Sequence, residues 1–144
     1  DFYGVGINGK NSEFHAGMGL VNLRWADKIM ASRKHQSLYY DERLKGLKVQ
    51  KLKYNPDQFN YSYYPIVFDT EQTLLKAQEM LSSNLVFTRR YFYPVLNKVN
   101  YVNYQECPVA ENIAKRVLCL PLYHDLSDVE IDFVARLLLR AQNN

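Results

Sequence analysis

A helical apolar stripe that gives way to strand-like alternation constrains this chain more than any other feature of its sequence. Phe14, Met18, Val21, Trp25 and Ile29 recur at spacings of four, three, four and four, the period of one face of an α-helix. The pattern runs on through charged residues to Tyr39, Tyr40 and Leu44, and Gly46 supplies a stop. Residues 12–46 are therefore expected to be mainly helical, as one long helix or two with a bend, capped by Asn11 or Ser12. Such length suits a helix that connects regions.

From Leu47 the rhythm changes. Residues 47–52 alternate apolar side chains with Lys or Gln, and residues 61–68 are rich in aromatic and β-branched types. Both read as strands, with Asn55-Pro56-Asp57 as the turn region between them. Asp69 begins a D-x-x-Q helix start whose face is Leu74, Ala77 and Leu81, ended by Ser82-Ser83-Asn84. Residues 86–95 are a third strand candidate, stopped or bent by Pro94. Pro108 suits the first turn of a short helix through Arg116, and 117–120 is a short apolar strand closed by Pro121. Ser127-Asp128-Val129-Glu130 is a capping box, and Ile131, Val134, Ala135 and Leu138 form the buried face of the helix that follows. The fold class expected is α+β, a long helix followed by a small sheet with packed helices. Its two regions are 1–46, glycine-rich loop and connecting helix, and 47–144, the α+β domain.

With 144 residues, 47% of them hydrophobic, the chain can bury one core but not two. Its 18 basic residues are interspersed with 15 acidic ones for a net charge of +3, so no basic stripe argues for nucleic acid. Cys107 and Cys119 form neither a C-x-x-C pair nor a cluster with a histidine, which argues against a disulfide framework or a metal site and for a reducing, cytoplasmic setting. No apolar run has the length of a membrane span.

Gly4-Val5-Gly6-Ile7-Asn8-Gly9 is a loop, because three glycines in six residues carry too much backbone entropy for a regular element. It fits G-x-G-x-x-G, but only three residues precede it where a dinucleotide fold needs a strand. As a phosphate loop it has Asn11 where the magnesium-binding Ser or Thr belongs. His15, His35 and His124 have no G-x-S-x-G elbow to serve, and Asp41-Glu42 and Asp128/Glu130 read as helix surface and capping. Tyr61, Tyr63, Tyr64, Tyr91, Phe92 and Tyr93 suit either a sugar site or a core.

Three segments, in order, resemble the DegT/DnrJ/StrS family of pyridoxal-phosphate (PLP) nucleotide-sugar aminotransferases. The stretch from Gly6-Ile7-Asn8-Gly9-Lys10 to Met18-Gly19-Leu20 is similar to the family's G-x-N-x-R-M-[ST]-E-x-x-A-A-x-G-L signature. Thr88-Arg89-Arg90-Tyr91-Phe92-Tyr93-Pro94 is similar to the segment before its substrate-facing aromatic and proline. Cys107-Pro108-Val109-Ala110-Glu111 and Val117-Leu118-Cys119-Leu120-Pro121-Leu122-Tyr123 resemble its C-P-x-[AS]-E and L-x-L-P-[ML] pair.

The resemblance implies the C-terminal small domain of a type I PLP fold, working as a homodimer with shared active sites. Asn8 is then expected at the cofactor phosphate of the neighbouring subunit, with Lys10 beside it in a position usually held by arginine. An amide and exposed backbone N–H groups at a helix start suit a phosphate. Arg90, Tyr93 and His124 are expected near the substrate. The implied reaction moves an amino group, with glutamate as donor, onto a keto-deoxysugar linked to a nucleoside diphosphate such as dTDP. The Schiff-base lysine lies upstream of the glycine loop in the family, so this chain is expected to be a C-terminal part without it, and inactive alone. A non-catalytic dimerisation or binding domain is the rival reading.

Overall fold

Ser12 opens the first helix by accepting, through its Oγ, a hydrogen bond from the His15 backbone N–H at 3.3 Å. The computed structural model that shows this describes residues 9–99 and 102–143. Helix α1 runs Glu13–Leu23 and α2 runs Ala26–Arg43, so the long helical region is two helices with a bend. At the bend, Arg24 and Trp25 donate to Val21 and Asn22, tightening the turn to i→i−3 bonds before α2 begins. The second helix ends at Arg43, ahead of Gly46, which lies in the turn that follows. The apolar stripe of α1 meets no core among the described residues: Phe14 is 89% exposed, and Met18, Val21 and Trp25 are exposed as well.

Strands β1 (Val49–Lys51), β2 (Tyr64–Phe68) and β3 (Val117–Leu120) form one antiparallel sheet in the order β1-β2-β3. Val49 pairs with Phe68, and Tyr64 with Leu120. Tyr64, Ile66 and Phe68 face the core while Pro65 and Val67 are half-buried, the alternation that a pleated strand imposes. Helices α3 (Glu71–Ser82) and α5 (Asp128–Asn143) pack against each other, and α2 packs on α5. Between helices and sheet lies one core whose fully buried members include Tyr40, Leu44, Ile66, Leu74, Leu118, Ile131 and Leu138. The remaining helix, α4, runs Pro108–Arg116 from a proline at its first turn and leads directly into β3.

The α+β expectation holds, and the corrections to it are local. Residues 61–68 begin pairing only at Tyr64, because Tyr61 sits at φ 50°, outside strand geometry. The cap of α3 is Thr70, whose Oγ1 accepts from the Thr73 N–H at 3.1 Å; Asp69 lies one residue too early. Residues 86–95 are not a strand. They touch the sheet through one bridge, Arg89 to Cys119, and then leave it, because Phe87, Phe92 and Tyr93 are exposed and Pro94 has no N–H to donate. The capping box of α5 is present, with Glu130 Oε2 accepting from the Ser127 N–H at 2.8 Å and Ser127 Oγ from the Glu130 N–H at 3.3 Å. The sheet is antiparallel throughout, so no βαβ unit supports a dinucleotide reading. No helix among the described residues is long and apolar enough to cross a membrane.

Candidate functional site

Four pieces of chain enclose a cavity of about 560 Å³. Helix α2 contributes Arg33, the approach to β2 contributes Ser62 and Tyr63, the bridged segment after α3 contributes Phe87, Arg89 and Tyr91, and the end of β3 with its loop contributes Cys119 and Pro121 to Tyr123. The bridge from Arg89 to Cys119, with N–H···O distances of 3.3 and 2.8 Å, lays the third piece along the edge of β3. The loop is held from the other side by the polar face of α2. Gln36, 1% exposed, donates from Nε2 to the carbonyls of Tyr123 at 2.7 Å and Leu126 at 2.9 Å. Ser32 Oγ donates to the His124 carbonyl at 2.6 Å, and the Tyr40 hydroxyl to the Pro121 carbonyl at 3.1 Å. A helix whose sequence looks too polar to be buried is thus buried by the loop whose backbone acceptors it satisfies.

The cavity is cationic and aromatic. Arg33 and Arg89 line it, and no carboxylate does among the described residues. Tyr63 meets Tyr91 edge to face with ring centroids 5.2 Å apart, and the Arg89 guanidinium lies 5.8 Å over the Tyr91 ring while donating to its hydroxyl. Burial pushes the Cys119 thiol up, outweighing the Tyr91 backbone hydrogen bond that pulls it down, so Cys119 is a protonated wall and not a nucleophile near neutral pH.

The residues expected from sequence are distributed differently. Asn8 and the rest of 1–8 lie outside the described residues. Lys10 is exposed, two residues before the Ser12 cap of α1. Arg90 and Tyr93 are together, the guanidinium 3.7 Å over the ring, but Arg90 turns from the cavity to donate to Glu71 Oε1 and the Lys115 carbonyl, both at 2.8 Å. His124 places Nε2 3.0 Å from Asp125 Oδ1. The cavity takes instead the neighbours Arg89, Tyr91 and Tyr123, together with Arg33. Only the alternation of Arg89-Arg90-Tyr91 along an extended segment could have pointed to them, since adjacent side chains face opposite ways.

A second arrangement was not legible beforehand. Glu111, in the C-P-x-[AS]-E segment, accepts from Asn97 Nδ2 at 2.8 Å, Tyr104 Oη at 3.1 Å and the Cys107 N–H at 3.2 Å, and pairs with Lys98. The Lys98 hydrogen bond, then the Cys107 N–H, hold its carboxyl down at about 2. Glu111 therefore ties the residues on both sides of 100–101 to the start of α4.

Every lysine among the described residues is exposed, and Lys98, paired with Glu111, is pushed up rather than down. None is desolvated in the way that makes an amine nucleophilic near neutral pH. For a cofactor phosphate, Lys10 and the Glu13 and Phe14 amides at the start of α1 fit one edge of an anion site, the His15 and Ala16 amides being taken by Ser12. No cluster of possible metal ligands is present among the described residues.

The sequence profile of the DegT/DnrJ/EryC1/StrS aminotransferase family matches residues 2–139. A dTDP-4-amino-4,6-dideoxy-D-glucose transaminase of Escherichia coli is 34% identical over 93% of this chain and 39% of its own length. The crystal structure of the aminotransferase TlmJ from Streptoalloteichus hindustanus is similar at a TM-score of 0.80 and 25% identity, over 90% of this chain and 36% of that one. DesI, solved in the presence of its TDP-sugar product, is similar at 0.76 and 27%, over 88% of this chain and 34% of that one. The chain thus spans about two fifths of the curated relative it matches.

Proposed function

The chain belongs to the DegT/DnrJ/EryC1/StrS aminotransferase family, and on that premise we propose that it is the C-terminal part of a nucleotide-sugar aminotransferase. The observation that carries the reading is the 34% identity to a dTDP-amino-sugar transaminase over nearly the whole chain. The family is PLP-dependent. Bound PLP would supply an electron sink for the pair left behind when the carbon bearing the amino group loses its proton. The amino donor is glutamate, and the acceptor is a dTDP-linked 4-keto-6-deoxyhexose or its 3-keto isomer.

The residues of this chain bind and position. Asn8 and Lys10 hold phosphate oxygens of the cofactor seated in the neighbouring subunit of a homodimer. Lys10 keeps the positive charge that an arginine would bring there and gives up the bidentate fork. The Arg90 guanidinium, anchored by Glu71, fixes the Tyr93 ring from behind, so that Tyr93 and His124 approach the sugar from a rigid base. The lysine that holds the cofactor covalently belongs to the preceding large domain, joined to the 47–144 domain through the loop and helices of 1–46.

The test uses the full-length protein with PLP, glutamate and the two dTDP-keto-sugars, following 2-oxoglutarate and the amino-sugar by mass spectrometry. Amination of either supports the proposal. A folded, PLP-loaded protein that aminates neither sugar would sink it.

A further inference from the structure

Residues 91–96 form a strap that the sheet does not hold. Phe92, Tyr93 and Leu96 are exposed, and pairing with β3 ends at Arg89 among the described residues. Fixing an unpaired backbone costs conformational entropy, so the order of the strap has to come from its two ends. The near end is tied by the bridge from Arg89 to Cys119 and by Arg90, which donates to Glu71 and to the Lys115 carbonyl. The far end is one 3₁₀ turn, Leu96–Lys98, closed by the Lys98 N–H on the Val95 carbonyl at 3.0 Å. Such turns bond with poorer geometry than an α-helix and do not fix a segment unaided. This one rests on Glu111.

We propose that Glu111 is a positioning residue for the reaction: it anchors the far end of the strap and so fixes where Tyr93 stands against the sugar. That Tyr93 meets the sugar rests on the function proposed above; the anchoring rests on contacts made inside this chain. Glu111 Oε1 accepts from Asn97 Nδ2 at 2.8 Å, Tyr104 Oη at 3.1 Å and the Cys107 N–H at 3.2 Å, while Oε2 pairs with Lys98. Its side chain is 14% exposed, and hydrogen bonds to an ionised, partly withdrawn carboxylate are the strong ones. The plainer role, a carboxylate serving the start of α4, accounts for the Cys107 bond and for a favourable charge near a helix N-terminus. It does not account for Asn97 and Lys98, which belong to the turn that ends the strap. Asn97 Nδ2 also reaches the Gln105 carbonyl at 2.7 Å, so one side chain joins that turn to the segment returning to α4. With both ends tied, Tyr93 is held between the Arg90 guanidinium, 3.7 Å over its ring, and Pro94, whose own ring fixes φ. Loops that present binding residues work when a rigid frame sets them, and Glu111 completes the frame here.

The full-length, PLP-loaded protein is compared with its Glu111→Ala, Glu111→Gln and Asn97→Ala variants by amide hydrogen exchange and by steady-state kinetics with a dTDP-keto-sugar and glutamate. In Glu111→Ala the Lys98 amide should lose roughly 10- to 100-fold of its protection, as when a charge-assisted hydrogen bond is removed. The Arg89 amide, tied to Cys119, should keep its own. KM for the sugar should rise roughly 3- to 10-fold, the contribution of one aromatic contact, with kcat and the KM for glutamate unchanged. Glu111→Gln keeps an acceptor for Asn97, Tyr104 and Cys107 and loses the charge facing Lys98, so it should fall between. Asn97→Ala cuts the anchor from the strap side, spares the Cys107 bond and should reproduce the rise in KM. Ser127→Ala, which removes the cap of α5, should lower the melting temperature and move neither readout. Loss of protection at Lys98 and Arg89 together overturns the inference, as does an equal rise in KM for Ser127→Ala. A sugar KM untouched in folded, PLP-loaded Glu111→Ala and Asn97→Ala overturns it too, and keeps the aminotransferase reading if amination persists. Selective loss of protection at Lys98 in a PLP-loaded protein whose wild type aminates nothing would uphold the anchor and sink that reading.

Discussion

Gln36→Glu should destabilise the fold more than Gln36→Leu, although glutamate is the closer mimic in shape. The side chain is 1% exposed, and its Nε2 makes two short bonds, to the Tyr123 and Leu126 carbonyls. Leucine orphans the Leu126 carbonyl, at roughly 1–3 kcal/mol, while the Tyr123 carbonyl keeps the Leu126 N–H at 3.0 Å; it also removes the Gln36 Oε1, which has no partner, and so regains a term of the same size. The net loss expected is at most about 2 kcal/mol. Glutamate keeps the orphaned oxygen, replaces the donor by a second acceptor facing carbonyls, and buries a charge without a partner, for about 3–5 kcal/mol. Urea denaturation followed by circular dichroism measures both. The carboxyl introduced by Gln36→Glu would be raised by burial above an unfolded value of about 4.3, and its protonated form can donate to a carbonyl. Relative to wild type, the stability of Gln36→Glu is therefore best below that unfolded value and is lost as pH rises through the folded one. Equal losses for the two variants, or a Gln36→Glu deficit that does not move with pH, would refute the reasoning and make Gln36 a packing residue.

Glu111→Gln should lower the melting temperature near neutral pH. The wild-type carboxyl is held down at about 2, so its contribution is present above the unfolded value and lost as pH falls toward 2, where the two melting curves should converge. In wild type the Cys107 amide shift should titrate with a midpoint near 2, and in Glu111→Gln it should not. On the phosphate role proposed for Asn8, Asn8→Ala in the full-length protein should weaken PLP retention by roughly 1.5–3 kcal/mol, read by absorbance during dialysis. The 144-residue chain alone, incubated with PLP and glutamate, should form no covalent cofactor adduct and aminate no dTDP-keto-sugar. A visible band abolished by one Lys→Ala change would contradict that.

Where local chemistry decides, the sequence is readable. The Ser127 to Glu130 box, the proline start of α4 and the four residues of β3 each depend on neighbours along the chain, and each appears where its residues predict. Residues 86–95 carry the same aromatic and β-branched signal as β2 yet never pair beyond Arg89, because pairing depends on what edge the sheet offers, which local pattern does not encode. The site follows the same division. The family motifs lie along the chain and are legible, whereas Arg33 sits in a charged helical run where a cavity-lining arginine and a solvated one read alike. Gln36 is buried, and Ser32 half-buried, by a loop nearly ninety residues away, and helical periodicity marks apolar faces, not polar ones that find backbone partners.

The bare face of α1 makes that helix depend on what packs against it. Eleven residues fall short of the roughly 12–15 at which an isolated helix becomes even marginally stable in water, and none of the eleven is buried. Its helical state is thus linked to whatever surface covers Phe14, Met18 and Leu23. A copy without that cover offers a protease a frayed, apolar segment ahead of a well-packed core. Limited proteolysis of uncovered copies should therefore start at 13–25.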